Sequence, residues 1–219
     1  PVNLFDYTNT IALQDDFVSG VNGNGTTGDL GWIQNGGTTV GINGTAGAAN
    51  FGIIRKTSSA APGAVGQLVM GQQASNIDIK YKSSMLFIAR LVVNDANTVA
   101  RMGWANVFST NPPGVGVYFE KDAADTTWFC VAKNAGTTRV NTNVATTTKF
   151  TKFKIDRDSV DGRFSFYING VLVGQIEAND TNMPTGFTSQ GLHITNNGAA
   201  EDKSLEIDYF QLNVTGFSR

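Results

Sequence analysis

The 219-residue chain sets 16 Lys and Arg against 18 Asp and Glu, with a formal net charge of −2 and no basic run. That balance excludes an electrostatic footprint for nucleic acid or an anionic membrane surface. A chain this long buries roughly 70–75% of the surface its unfolded form exposes, so it needs no disulfide or metal staple; its one cysteine, Cys130, excludes an internal disulfide. The longest apolar stretch, Met85–Val93, is interrupted by Arg90 and is too short for a transmembrane helix.

Glycine is abundant (25 residues), Asn and Thr are frequent, and helix formers do not run together. This composition favours many short strands joined by tight turns. Residues 1–14 read as an arm ahead of a single domain, 15–219. Its apolar residues Leu4, Phe5, Tyr7, Ile11 and Leu13 either lie along that domain or dock on a neighbouring subunit. A Gly/Asn/Thr loop follows Asp15-Asp16-Phe17, and Trp32-Ile33 begins a strand. Further strands are predicted over Phe51–Lys56, Gln67–Met70, Ile77–Tyr81, Met85–Val93, Val99–Phe108 and Val115–Glu120. Trp128–Lys133 and Thr137–Asn141 flank the hairpin candidate Asn134-Ala135-Gly136. Phe150–Asp156 alternates in period 2, as do Phe164, Phe166 and Ile168 against Ser165 and Tyr167. Asn169-Gly170 is a strong hairpin signal, because a type I′ turn needs positive φ at both central residues. Leu192–Thr195 and Leu205–Val214 close the sheet. Strands every ~8–15 residues without an amphipathic helix predict an all-β antiparallel sandwich of jelly-roll type.

Few residues offer chemistry. Cys130, within WFCVA, reads as a buried thiol. His193 is the only histidine, which excludes a His-rich metal site, and reads as a half-buried strand residue. The loop Asp156–Gly162 imitates a calcium loop, but its third Asp is one position late and position 12 is Tyr167. A turn is the simpler reading, and Ca²⁺ is left as an unsupported cofactor; no other is implied. The glycine clusters lack a following Lys-Ser/Thr or helix and cradle no phosphate. Four glycosylation sequons read as chance in so Asn/Thr-rich a chain. Trp32, Trp104, Trp128 and Tyr167 are candidates to stack on sugar rings. Tyr167 is the best of them, because alternation sets it opposite the Phe164/Phe166/Ile168 face.

Glu206-Ile207-Asp208-Tyr209-Phe210-Gln211 resembles the active-site strand of laminarinase-type retaining glucanases, Glu-x-Asp-x-x-Glu. Retaining hydrolysis needs two carboxyl groups ~5–5.5 Å apart. Gln211 replaces the second, so the stretch reads as a closing strand with its charges on the solvent face.

GVGVYFEKD (Gly114–Asp122), TTWFCVAKNAGTTRVNT (Thr126–Thr142), KFTKFKID (Lys149–Asp156), RFSFYINGVLVGQIE (Arg163–Glu177) and LEIDYFQL (Leu205–Leu212) together are similar to a known family. They resemble the concanavalin-A-like, laminin-G-like jelly-roll domains of tailed-bacteriophage virion proteins. The resemblance implies a non-enzymatic structural protein on the virion surface, a capsid decoration (cement) or minor structural protein. Its partners would be the major capsid protein and further copies of itself. The alternative is a carbohydrate-binding, lectin-like module or receptor-binding tail adhesin.

Overall fold

The computed structural model describes residues 10–17, 26–27, 30, 32–36, 38–41, 52–70, 77–108, 112–198 and 201–216. Among them the strands, in chain order, are β1 (Thr10–Asp15), β2 (Thr26–Thr27), β3 (Trp32–Asn35), β4 (Thr38–Gly41), β5 (Ile54–Thr57) and β6 (Val65–Met70). There follow β7 (Ile77–Asp78), β8 (Lys82–Leu91), β9 (Thr98–Ala105), β10 (Gly116–Lys121), β11 (Thr127–Lys133) and β12 (Thr137–Ala145). The last are β13 (Thr151–Arg157), β14 (Phe164–Ile168), β15 (Val171–Ile176), β16 (Phe187–Asn196) and β17 (Ser204–Thr215). They form two antiparallel sheets, as the spacing predicts. The first runs β15-β14-β13-β8-β17-β5-β4, and the second β12-β11-β10-β9-β16-β6-β3-β2.

The hairpin at Asn169-Gly170 has φ of 52° and 83°, both positive as a type I′ turn requires. Around it Ile168 pairs with Val171 and Phe164 with Ile176. Ile77–Tyr81 is strand only over Ile77–Asp78, because Tyr81 N–H turns back to the Asp78 carbonyl. The arm is shorter than the sequence suggests. Thr10–Asp15 pairs residue for residue with Thr215–Phe210 of β17, and Ile11 and Leu13 pack against the core. Half-buried there, Ile11 and Leu13 lie along their own domain, the first of the two alternatives for the arm. Leu4, Phe5 and Tyr7 lie outside the described residues.

Aromatic contacts between the sheets organise the core. Phe119 of β10 meets Phe153 and Phe166 edge-on at 5.2 Å, and Trp128 of β11 meets Phe153 at 4.8 Å. Trp104 of β9 faces Phe164 at 5.9 Å, and Trp32 of β3 stands perpendicular to Phe210 at 4.7 Å. Such pairs add about 0.5–1.5 kcal/mol each beyond the area they bury. Near the β11/β15 contact, a Cβ on Gly174 would lie 2.6 Å from Cys130 Sγ. Cys130 is fully buried, and burial pushes its thiol pKa up to about 12. The native thiol should therefore resist an aromatic disulfide reagent and react fully in denaturant. Rapid reaction of the native protein would contradict this packing.

Candidate functional site

The two outward faces of the sandwich differ in one decisive respect. On the first sheet, β8 alternates buried and half-buried residues along most of its length, so its outer face meets solvent. On the second sheet, β9 and β10 are buried at every position, outer face included. Among the described residues the first sheet leaves a broad face open, whereas the second is closed over β9 and β10 and opens only toward β11 and β12.

The covering of the second face begins with Phe108, beyond β9. Its carbonyl is 2.8 Å from His193 Nδ1, and Phe108 forms a separate small cluster with Val69 and Ala105. Glycine makes room for it, because a Cβ on Gly191 would lie 3.1 Å from the Phe108 ring and 2.7 Å from the Leu68 carbonyl oxygen. At the base of this connection Asn106 and Val115 exchange two bonds of 3.0 Å. Beneath it runs a polar row across four strands, Gln67, His193, Arg101 and Glu120, all buried. His193 is thus fully buried rather than half-buried. Burial and the nearby Arg101 charge lower its pKa to about 3, and its Nε2 contacts Thr195 Oγ1. Glu120 is held by Arg101 Nε at 2.7 Å and Arg139 Nε at 2.8 Å, with both carboxylate oxygens engaged.

On the open face, cross-strand register aligns two rows. Asn213, Ser84, Asp156, Ser165 and Gln175 form one, and Gln211, Leu86, Lys154, Tyr167 and Leu172 the next. Between them and the β13–β14 turn lies a groove of about 340 Å³, lined by residues that include Ser84, Lys154, Asp156, Ser165, Tyr167 and Asn213. Lys154 Nζ stands 5.3 Å from the Tyr167 ring centroid and 2.5 Å from Asp156 Oδ2. Asp156 Oδ1 and Arg163 Nε are buried polar atoms without a hydrogen-bond partner among the described residues. Groups of this kind usually find water or ligand.

The sequence candidates separate on this geometry. Trp32, Trp104 and Trp128 are 0%, 0% and 3% exposed, each turned inward onto a phenylalanine of the opposite sheet. Burial removes all three from a sugar-stacking role. Trp32 is further fixed by its indole N–H, which donates to Asp15 Oδ2 at 3.1 Å. Tyr167 alone lies half-exposed in a groove.

Glu206 is also corrected. It is 0% exposed rather than solvated, accepting from Arg55 Nε at 2.8 Å through Oε1 and from Arg90 Nε at 2.5 Å through Oε2. The Asp-rich loop is a turn. Asp158 Oδ1 accepts from Val160 N–H at 2.8 Å and Asp161 Oδ1 from Arg163 N–H at 3.0 Å. Among the described residues no group of three or more His, Cys, Asp or Glu could hold a metal ion. Sequence reasoning missed the groove's polar row, whose members sit on five strands, with β8 and β17 far in the chain from β13, β14 and β15. Only the alternation of Asp156 and Ser165 against Ile155 and Phe164 signals it.

No family model and no curated protein matches this sequence. Solved structures do match in fold. The carbohydrate recognition domain of Emp47p superposes with a TM-score of 0.60 at 14% identity, over 97% of this chain and 100% of that one. An endo-1,3-β-glucanase from Streptomyces sioyaensis gives 0.62 at 15% identity, over 96% and 98%. The chain is a concanavalin-A-like jelly roll. A Shewanella oneidensis MR-1 protein of unknown function shares this jelly roll, with a TM-score of 0.65 at 13% identity over 95% and 87% of the two chains. Identities this low establish the fold alone.

Proposed function

We propose that this jelly roll is a non-catalytic carbohydrate-binding domain whose ligand lies in the first-sheet groove against Tyr167. The observation that carries the reading is the contrast between faces: the second is buried over its central strands β9 and β10, and the first presents an aromatic ring beside a row of hydroxyl, amide and carboxylate groups. A concave site that joins an aromatic surface to a few convergent polar groups can fix and orient a small ligand. Among the described residues the atoms Asp156 Oδ1 and Arg163 Nε have no hydrogen-bond partner. A sugar hydroxyl, which donates and accepts at one oxygen, is matched to such groups. That a neighbour in fold is a carbohydrate recognition domain agrees with this.

Two features support the absence of hydrolysis. Glu206 has both oxygens occupied by arginines, and Gln211 carries no proton to give a leaving group. The bacteriophage-virion setting rests on the sequence motifs alone; this reading is compatible with it and does not require it. Capsid decoration has less to stand on, because β1 takes Ile11 and Leu13 into the sheet.

Calorimetry against a panel of soluble oligosaccharides tests the proposal. Tyr167→Ala should weaken binding about tenfold, or about 1.4 kcal/mol, with the melting temperature little changed. Wild-type affinity in the variant, or no binding across the panel, would contradict it.

A further inference from the structure

The groove's charge is opposite in sign to that of the chain. Four cations, Lys82, Lys154, Arg157 and Arg163, line it against two carboxylates, Asp156 and Asp158, in a protein of net charge −2. Local neutralisation is incomplete. Lys154 pairs with Asp156, and Arg163 with Asp161 at 3.0 Å. Among the described residues Arg157 donates to the backbone carbonyls of Lys80 and Asp158 and has no carboxylate within ion-pair distance, Asp78, Asp158 and Asp161 acting on it from further away; the exposed Lys82 has no such carboxylate either. The surplus is spatially ordered. Lys82 lies opposite Thr215 at one end of the face, whereas Tyr167 shares a row with Leu86. Four residues of strand separate the two, about 13 Å, which is longer than one pyranose ring.

We infer that the ligand is an acidic oligosaccharide, with a neutral ring face on Tyr167 and an anionic group on a neighbouring sugar at the Lys82/Arg157 end. This deepens the carbohydrate reading and rests on it. Anions are drawn to that end because, among the described residues, its cations make no direct ion pair with a carboxylate, and partly solvated charges of this kind act through a salt-sensitive field. The anionic group is a carboxylate or a sulfate, and the choice of probe separates them.

The experiment compares a galacturonic-acid oligomer, a sulfated dextran oligomer and neutral dextran of matched length, binding the full chain at low and high salt. At least one acidic oligomer should bind about tenfold more tightly than the neutral one, with the advantage lost at high salt. Lys82→Glu, at an exposed position where folding is not at stake, should remove the advantage of the acidic oligomer over the neutral one. Arg157→Gln, at the same end of the groove, should reduce that advantage as well. Equal affinity for acidic and neutral oligomers, both weakened by Tyr167→Ala, would overturn the acidic specificity and leave carbohydrate binding standing. No binding of any oligomer would overturn both.

Discussion

Trp32→Ala should destabilise the domain by about 3–5 kcal/mol, measured by guanidinium unfolding, whereas Tyr167→Ala should change stability by under about 1 kcal/mol. The difference follows from what each ring touches. Trp32 is packed against Phe17 at 5.9 Å and perpendicular to Phe210 at 4.7 Å, so its loss opens a cavity between the sheets. Its indole N–H also satisfies Asp15, a buried carboxylate that receives Phe17 N–H at 2.8 Å and Leu30 N–H at 3.1 Å. Removing one donor leaves a charged oxygen less well satisfied in a dry site, which adds to the cavity cost. Domains of this kind have about 5–15 kcal/mol in hand, so the variant should fold but unfold at much lower denaturant. A Trp32→Ala protein of wild-type stability would mean that the Asp15–Trp32–Phe210 junction does not hold the sheets together.

These two residues also mark what the sequence can and cannot reveal. Where a strand has one solvated face, alternation is visible, so β8, β13 and β14 are legible, and Tyr167 lies on the face opposite Phe164, Phe166 and Ile168. In β9, β10 and β16 both faces are buried, and no polar alternation remains to show which side of Trp104 or His193 faces in. The covering by Phe108 comes from beyond the end of β9, against Val69 and Ala105. On β17, strict alternation from Leu205 and Ile207 would turn Tyr209 inward. The register shift between Ile207 and Tyr209 turns Phe210 inward instead. The partnership of β1 with β17 joins the two ends of the chain, and nothing local in Thr10–Asp15 announces it. The groove likewise exists only once β8, β13, β14 and β17 lie side by side.

Acidification should destabilise the domain through His193. Its folded pKa of about 3 lies below the ordinary 6.5, so the unfolded chain binds the extra proton between those values. Stability is therefore fully present above pH 6.5, falls as pH drops through the window, and stops falling from this source below about pH 3. The slope approaches 1.4 kcal/mol per pH unit, so the step from pH 6.5 to 4.5 should cost about 2 kcal/mol. The causes are the burial of the ring and then the adjacent Arg101 charge, which outweigh the opposing hydrogen bond to the Phe108 carbonyl. His193→Gln lowers stability at neutral pH but should flatten this part of the profile. Equal slopes in the two proteins would show that His193 is not the group responsible.

The claim that the first-sheet face is the binding surface is tested most directly by amide chemical-shift mapping of the full chain, titrated with an acidic oligosaccharide. Shifts should cluster at Ser84, Lys154, Ser165, Tyr167 and Asn213, in the rows that line the groove. A cluster at Arg101, Glu120 and Arg139, on the second sheet, would contradict it.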